Sequence, residues 1–351
     1  MRTFISKSLK LVVTLLMGAV FTVIATAPVM AEDLQTVRMQ AVSGSVGGIP
    51  LMIMANEGLD KKHGFKGEFE FPPHEGASQN FLVGNSDIAM DNDIAGVAIA
   101  RTEGFEITAF YPVGNHYTGI VVKKDSPYKT PKDLIGKTVG HFGFDSGTTT
   151  FIRIAVNNLY GFDVTKEYKM VETSPAALVK LLDAGEVEAI FDFEAYVSKA
   201  IVSAPGRYLM QTHKAFEASP EGYVTWITNM VAREKWLKAN PKLAYAVRDA
   251  YDDAIKMLED SNYEILRKPY ITKGLSIKSD KVLDALIENA RSTPYFTNDW
   301  SKETIGKAEA LLTKMASDKI LIEAVPDGVM VTLEDFIGPR PYETGYPGRF
   351  L

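Results

Sequence analysis

The 351-residue chain contains no cysteine, and this absence limits its chemistry. Without thiols there is no disulfide, no thiolate metal site and no cysteine nucleophile. A lipid anchor attached through an N-terminal cysteine is excluded for the same reason. The chain also lacks a dense block of lysine and arginine, so we do not expect a nucleic-acid partner, whose phosphates such a block would neutralise.

Acidic residues are missing from residues 1–31, which carry Arg2, Lys7 and Lys10. The formal net charge of the whole chain is −6, so residues 32–351 carry −9. A body of this length exceeds the size of about 250–300 residues at which single hydrophobic cores stop growing. We therefore expect an acidic protein built from two lobes.

The first 31 residues have the three parts of a secretory signal peptide. A short positive segment is followed by an apolar stretch, residues 11–24, and then by small residues that end at Ala31. We predict cleavage before Glu32 and export of a free protein to a Gram-negative periplasm. The alternative is an uncleaved anchor helix, because the apolar stretch approaches membrane-spanning length.

Strands and helices alternate along the first two thirds of the exported chain, which predicts an α/β fold with mostly parallel sheets. The first unit runs from a strand at 37–42, through a helix opened by Pro50, to a strand at 65–71. Segments 81–90 (FLVGNSDIAM) and 181–191 (LLDAGEVEAIF) share a helix end, a glycine, an acidic residue and a strand. This repeat favours two lobes of one plan. Residues 233–334 read as almost entirely helical.

Four segments in a fixed order resemble one protein family. They are 48–65 (GIPLMIMANEGLDKKHGF), 81–90, 121–140 (VVKKDSPYKTPKDLIGKTVG) and 181–196 (LLDAGEVEAIFDFEAY). The set is similar to the extracytoplasmic solute-binding proteins of ABC importers, in the group that serves nitrate, sulfonates, taurine and thiamine-pyrimidine precursors. The resemblance covers roughly residues 37–260.

The resemblance implies a two-lobed periplasmic binding protein of Venus-flytrap type II, each lobe a mixed, mostly parallel sheet flanked by helices. The first lobe would hold residues 32–114 and 228–330, and the second lobe residues 115–227, with two crossing strands as the hinge. Residues 331–351, rich in proline and glycine, would form a draped arm or a disordered tail. We expect a monomer without cofactor or metal that closes on a small molecule. Its partners would be the permease and ATPase subunits of the importer.

Two turns before predicted helices are candidate ligand contacts, because open α/β sheets bind ligands beyond the carboxyl ends of their strands. Such turns offer backbone N–H groups and small side chains. Their candidates are Ser43, Ser45 and Gly47 in the first turn, and Ser146, Gly147, Thr148 and Thr149 in the second. Each turn is explained equally simply as an ordinary strand-to-helix connection or helix cap.

Polar and aromatic residues after two predicted strands, and at the two crossings between lobes, complete the set. An aromatic ring beside a carboxylate can stack on a flat ligand while the carboxylate accepts a hydrogen bond from an amino group. The alternative is a core strand whose carboxylates cap the next helix. These candidates are Asp91, Asn92, Asp93, Phe193 and Glu194 after strands, and His116, Tyr117 and Trp226 at the crossings. His74 and Glu75 are weaker candidates in a turn.

Carboxylates outnumber cations at these positions, where Arg153 is the nearest basic residue and lies a helical turn away. Unpaired like charges in a closed cleft cost several kcal/mol. We therefore expect a ligand with an amino group or a nitrogen heterocycle, zwitterions included. An organosulfonate, nitrate or an aromatic carboxylate is the alternative.

An enzyme on the same fold is a second alternative, since similar proteins include a desulfinase and a eukaryotic pyrimidine synthase. The resemblance would require a cysteine nucleophile for the first, and a histidine consumed in the reaction together with iron-binding residues for the second. The chain has no cysteine, and its five histidines show no close ligand spacing. We therefore predict a binding protein. A receptor that presents its ligand to a membrane sensor is a further possibility that the sequence does not separate from transport.

Overall fold

Ten strands in two five-stranded sheets organise the part of the chain that the computed structural model describes, residues 34–219 and 226–341. In chain order the strands are β1 (Thr36–Gln40), β2 (Lys66–Glu70), β3 (Ile88–Asn92), β4 (Ile107–Asn115), β5 (Thr118–Lys123), β6 (Thr138–His141), β7 (Lys169–Glu172), β8 (Ala189–Phe193), β9 (Gly206–Gln211) and β10 (Trp226–Arg233). The first sheet has the order β2-β1-β3-β10-β4, and the second has the order β7-β6-β8-β5-β9. Three neighbouring strands of each sheet are parallel, and β10 or β5 runs antiparallel to the strands on both of its sides.

Helices flank both sheets. Within the described residues they are α1 (Ile49–Glu57), α2 (Leu59–Lys62), α3 (His74–Leu82), α4 (Ile94–Thr102), α5 (Gly147–Tyr160), α6 (Val164–Glu167), α7 (Pro175–Ala184), α8 (Tyr196–Ser203), α9 (Thr212–Glu217), α10 (Glu234–Ala239), α11 (Pro241–Asp260), α12 (Pro269–Gly274), α13 (Asp280–Ser292), α14 (Lys302–Ser317) and α15 (Leu333–Ile337). Short 3-10 turns occupy Val46–Gly48, Pro131–Leu134 and Glu264–Arg267. The helix predicted to continue from Pro50 to residue 62 breaks at Gly58 into α1 and α2.

The internal repeat has a direct structural counterpart. β3 and β8 each hold the third place in their sheets. Each follows a helix, α3 or α7, and their apolar residues are fully buried, as in Ile88 and Ile190. The prediction of two similar α/β lobes is therefore confirmed.

The chain passes from the first sheet to the second between Asn115, the last residue of β4, and Thr118, the first residue of β5. It is back in the first sheet at Trp226, where β10 begins. A segment from the helical part of the chain supports the first crossing, because Asn115 Nδ2 donates to Pro294 O at 2.9 Å. The first sheet thus takes its strands from residues 36–115 and 226–233, and the second from residues 118–211.

Residues 331–341, the described part of the predicted tail, pack against the helices of the first lobe. The Tyr245 hydroxyl on α11 donates to Gly338 O at 2.8 Å, and Trp300 Nε1 donates to Val331 O at 2.9 Å. The predicted signal peptide and its cleavage site, and the last ten residues of the tail, lie outside the described residues. In the two described ranges, no helix combines the length and apolar character required to cross a membrane.

Candidate functional site

A cavity of about 470 Å³ lies between the two sheets. The first lobe contributes the ends of β1 and β3 together with α3 and α4, and the second lobe contributes the ends of β6 and β8 and the start of α5. A volume of this size suits a small organic molecule. The strands end at facing edges of the sheets, which is where open α/β sheets place their ligands.

Nine of the fifteen candidate residues line this cavity. They are Ser45, Asp91, Asn92, Asp93, Tyr117, Ser146, Gly147, Thr148 and Phe193. The other six, which are Ser43, Gly47, His116, Thr149, Glu194 and Trp226, do not line it. The cavity is therefore lined by most of the strand-end candidates of both lobes and by some of the turn and crossing candidates. The remaining candidates lie outside it.

Asp91 stands near the end of β3 with one of its two carboxylate oxygens unpaired. Its Oδ2 accepts a hydrogen bond from the backbone N–H of Val42. Its Oδ1 is buried and makes no close hydrogen bond within the described residues, although the Tyr117 hydroxyl interacts with the carboxylate. Burial raises the pKa of Asp91 to about 7, although the Val42 hydrogen bond acts in the opposite direction. An ionised carboxylate only accepts hydrogen bonds, so Oδ1 can take a further donor besides the neighbouring Tyr117 hydroxyl.

Thr228 and Tyr117 lie at the same end of the cavity. The Thr228 side chain is 7% exposed, and its Oγ1 is buried without a partner among the described residues. Burial raises the pKa of the Tyr117 hydroxyl, and the neighbouring Asp91 charge raises it further. The Tyr117 hydroxyl thus lies among Asp91, Thr228 and Ser45, and a donor placed between Asp91 and Thr228 would meet two oxygens that make no close hydrogen bond within the described residues.

Gly47 leaves room for the Asp91 carboxylate without lining the cavity itself. An ideal β-carbon at residue 47 would collide with Asp91 Oδ1 and would lie 2.8 Å from Tyr117 Oη. The predicted importance of this glycine thus has a steric basis rather than one of ligand contact.

Asp93 begins α4 and faces the start of α5 on the other lobe. Its Oδ1 accepts a hydrogen bond from Gly96 N at 2.9 Å, and an ideal β-carbon at Gly147 would lie 2.7 Å from its Oδ2. Burial raises the pKa of Asp93 to about 6, and the charge of Asp145 adds to the rise. Helix N-termini attract negative charge, and here a protein carboxylate already stands beside the first residue of α5.

The cavity wall is strongly acidic. No lysine or arginine from the described ranges lines it, and burial lowers the pKa of His74, which keeps that ring neutral near pH 7. Arg153, the nearest cation in the sequence, is bound to Asp163 at 2.9 and 2.7 Å. The lining carboxylates are Glu75, Asp91, Asp93, Glu103, Asp145 and Glu172.

Aromatic rings form a second kind of wall. The rings of His74 and Phe142 meet edge to face at 5.0 Å, and those of Phe142 and Phe193 at 5.2 Å. Tyr196 continues the series, at 5.3 Å from Phe193. Such contacts fix the rings in place, so Phe142 and Phe193 offer the cavity a preformed apolar surface.

Four of the six candidates outside the cavity have local structural roles. His116 is 1% exposed and stacks on Phe216 at 4.7 Å. Trp226 packs against Trp300 at 5.2 Å. Thr149 bonds to the Ser146 side chain that caps α5, and Ser43 N donates to Pro72 O at 2.9 Å.

Glu194 is fully buried and does not line the cavity. Its Oε1 accepts hydrogen bonds from Asn289 Nδ2 at 2.7 Å and from the Tyr208 hydroxyl at 3.3 Å. Its Oε2 accepts one from Ser198 N at 3.0 Å. Its neighbour Phe193 is the residue of this turn that lines the cavity.

Sequence reasoning missed several lining residues. Phe142 and Glu172 stand at the ends of β6 and β7, so the rule that picked Asp91 could have found them once those strands were assigned. Glu103 follows α4, whose small and apolar residues show no clear periodicity. Across the described residues, no group of three or more histidine and carboxylate side chains is arranged to hold a metal ion.

A protein-family model described as NMT1/THI5 like matches residues 49–261 of this chain. The matched range includes both sheets apart from β1, and most of the cavity wall. Among curated proteins, no match to the chain is found.

Solved structures with the same fold include both binding proteins and an enzyme. The aliphatic sulphonate binding protein SsuA of Escherichia coli is 16% identical with a TM-score of 0.64, over 84% of this chain and 95% of that one. The alkanesulfonate-binding protein SsuA of Xanthomonas axonopodis pv. citri, bound to MOPS, is 16% identical with a TM-score of 0.68, over 85% and 98%. The desulfurization enzyme DSZB is 12% identical with a TM-score of 0.57, over 87% and 96%. Likeness at these identities establishes the predicted two-lobed fold.

Replacing Gly47 by alanine tests the steric role of this glycine. The added methyl group meets Asp91 Oδ1, so we expect Gly47→Ala to lower the free energy of unfolding by about 1–3 kcal/mol, the usual cost of overpacking. Gly306→Ala in α14 is the control, because a β-carbon there meets no atom within 4 Å; it should leave stability unchanged or raise it by up to about 1 kcal/mol. Urea unfolding measures both, and a Gly47→Ala protein as stable as the parent contradicts the role.

The pH dependence of stability tests the unpaired Asp91 carboxylate. A folded-state pKa raised to about 7 makes ionisation costly in the folded protein, so stability from this group is present at pH 4 and is lost as pH rises toward 7. We expect Asp91→Asn to match the parent near pH 4 and to exceed it by about 1–3 kcal/mol at pH 8 without ligand. The exposed Glu309→Gln should follow the parent at both values. If the free energies of unfolding of Asp91→Asn and of the parent change in parallel with pH, the raised pKa of Asp91 is contradicted.

Proposed function

Because the chain belongs to the NMT1/THI5-like family, we propose that it is the extracytoplasmic solute-binding subunit of an ABC importer. It captures a small polar organic molecule in the cavity between the lobes and delivers it to a membrane permease, while a separate subunit hydrolyses ATP. The proposed ligand carries an amino group or a nitrogen heterocycle, zwitterions included. The protein itself performs no chemical reaction.

The unpaired Asp91 Oδ1 is the observation that carries the ligand class. A buried acceptor without a donor is unfavourable, and a ligand N–H group at this place removes the cost. A protonated nitrogen adds the strength of a charge-assisted hydrogen bond. Thr228 Oγ1, a buried hydroxyl without a close hydrogen bond in the described residues, can accept a second hydrogen of the same ligand group.

The rest of the cavity supports the same class. Five further carboxylates and no lysine or arginine of the described residues face the ligand volume, which favours positive charge and disfavours negative charge. The aromatic faces of Phe142 and Phe193 suit a flat ring or an alkyl chain attached to the nitrogen.

An organosulfonate is the alternative, favoured by the sulfonate-binding SsuA proteins that share this fold. The position of Asp93 beside Gly147 speaks against it, since an anion directed to the start of α5 would meet a carboxylate. The likeness to the desulfurization enzyme favours an enzyme as a further alternative. The absence of cysteine from the whole chain counts against this reading.

The proposed place of action is the periplasm. Family membership and the predicted signal peptide, residues 1–31 with cleavage before Glu32, support it. We propose that the exported protein acts as a monomer until it docks on its permease.

A thermal-shift screen of the exported form, residues 32–351, tests the ligand class. The panel holds amines, benzamidine, aminopyrimidines, taurine, alkanesulfonates, nitrate and aromatic acids. A ligand that binds only the folded state adds about 2.7 kcal/mol at a hundredfold excess over its Kd. We expect hits among the nitrogen compounds and a loss of at least tenfold in their affinity in Asp91→Asn.

The pH dependence of binding distinguishes recognition of the ligand's charge from recognition of its shape alone. For a ligand that stays protonated, such as benzamidine, affinity should rise as pH increases from 6 to 8, because Asp91 becomes ionised over this range. The rise should be smaller in Asp91→Asn and unchanged in Glu309→Gln. Hits confined to sulfonates, nitrate or carboxylates, with Asp91→Asn at full affinity, would overturn the proposal.

Deletion of the gene tests import as opposed to signalling. We expect high-affinity uptake of the compound identified in the screen to disappear, and to return when the gene is restored. Unchanged uptake together with a lost transcriptional response would instead favour the receptor function.

A further inference from the structure

Glu194 occupies a place that ligand binding does not explain. Its carboxylate is fully buried and is surrounded by hydrogen-bond donors: Asn289 Nδ2, the Tyr208 hydroxyl and Ser198 N. The Tyr295 hydroxyl is a further hydrogen-bonding neighbour. Both carboxylate oxygens of Glu194 accept hydrogen bonds, whereas an amide in the same place would offer only one acceptor oxygen.

The donors come from both lobes. Ser198 on α8 and Tyr208 on β9 belong to the second sheet and its helices, as Glu194 does. Asn289 lies on α13, which follows the last strand of the first sheet and packs against α8. The 2.7 Å bond from Asn289 to Glu194 therefore joins the two lobes through side chains.

The backbone of Glu194 makes two more connections at the same point. Its carbonyl oxygen accepts a hydrogen bond from Val46 N at 3.1 Å, which ties the turn after β8 to the turn after β1 on the other lobe. Its N–H donates at 3.0 Å to the carbonyl oxygen of Tyr117, in the first crossing. Asn115 N in that crossing donates at 2.8 Å to the carbonyl oxygen of Tyr295. The buried carboxylate thus stands beside the hinge.

Helix α8, which directly follows this turn, also contacts the first lobe. Lys199 Nζ donates to Leu275 O at 2.9 Å, next to α12. The Tyr196 hydroxyl lies so close to Gly44 that an ideal β-carbon there would be 2.8 Å away. The turn after β8 and the start of α8 are therefore held to the first lobe at several points, and Glu194 is a fully buried member of this set.

We propose that Glu194 is a positioning residue that forms, with Asn289, a third and non-covalent connection at the hinge. The two crossing strands alone leave the lobes free to twist about them, and the Glu194–Asn289 bond limits that freedom to one closing motion. The connection also places Phe193 and Ser45, the cavity-lining neighbours of Glu194 and Val46, at a fixed separation. The inference rests on the proposed function only in assuming that the lobes close on a ligand.

The cysteine-free chain makes the test direct, because two introduced cysteines can be spin-labelled without background. Val83→Cys on the first lobe and Phe144→Cys on the second are suitable, since the native side chains are 60% and 46% exposed and neither lines the cavity. Pulsed dipolar spectroscopy of the ligand-free protein then gives the distribution of distances between the lobes.

Three variants separate the connection between lobes from ordinary packing. Asn289→Leu removes the hydrogen bond between the lobes. Glu194→Gln replaces the carboxylate by an amide, whose NH2 group would face the hydrogen-bond donors around residue 194. Tyr208→Phe removes a bond to the same carboxylate from within the second lobe and is the matched control. We expect a broader distance distribution for the first two variants and the parent distribution for Tyr208→Phe.

Exchange of the two side-chain roles provides a rescue. In the double variant Glu194→Gln with Asn289→Asp, the amide donates and the carboxylate accepts across the same gap, so the narrow distribution should return in part. Equal effects of Asn289→Leu and Tyr208→Phe, or a parent distribution in Glu194→Gln, would overturn the proposal. Because this experiment uses no ligand, its failure leaves the ligand class untouched, and a failed amine screen leaves the hinge connection untouched.

Discussion

The Asp91 carboxylate, held between two lobes with its buried Oδ1 open to a further donor, is the constraint on which the cavity depends. The chain accommodates it with a glycine at residue 47 and satisfies its other oxygen through the backbone of Val42. Such a group makes the ligand-free closed form less stable than it could be. A ligand that supplies the missing donor removes this cost only when the lobes stand together, so recognition and closure are coupled in a single interaction.

Three carboxylates at equivalent edges of the two sheets have different surroundings, and these determine their different roles. Asp91 faces the cavity and lacks a donor, which suits a ligand nitrogen. Asp93 stands beside the start of α5, where it takes the place of an external anion. Glu194 is surrounded by donors of both lobes and connects them. The net acidity of the chain therefore reflects several separate functions, of which ligand recognition is one.

Much of the fold could be predicted from local sequence. The helix ends before Gly84 and Gly185 and the strands that follow them predicted the repeated lobe plan, and the stretch 233–334 that reads as helical contains α10 to α14. The buried strand β4 was missed, because all nine of its residues are buried and no alternation marks it. The site followed from the strand-end rule where a side chain faces the cavity directly, as at Asp91, Asp93 and Phe193.

Side-chain direction was the part that sequence could not provide. Glu194 follows a cavity-lining strand, but its partner Asn289 comes from a helix 95 residues later in the chain, and no local pattern reveals such a contact. His116 is next to Tyr117, yet the first stacks on Phe216 and the second reaches the cavity, since neighbouring residues in an extended segment point to opposite sides. Gly47 was predicted to contact the ligand, but its role is to leave space for the Asp91 carboxylate.

A crystal structure with the tightest-binding amine or nitrogen heterocycle tests the central claim most directly. The account predicts a ligand nitrogen within hydrogen-bond distance of Asp91 Oδ1, with its remaining hydrogens toward Thr228 Oγ1 and its apolar part against Phe142 and Phe193. A ligand whose acidic group binds at the start of α5 with Asp93 displaced, or one that leaves Asp91 Oδ1 unpaired, would contradict it.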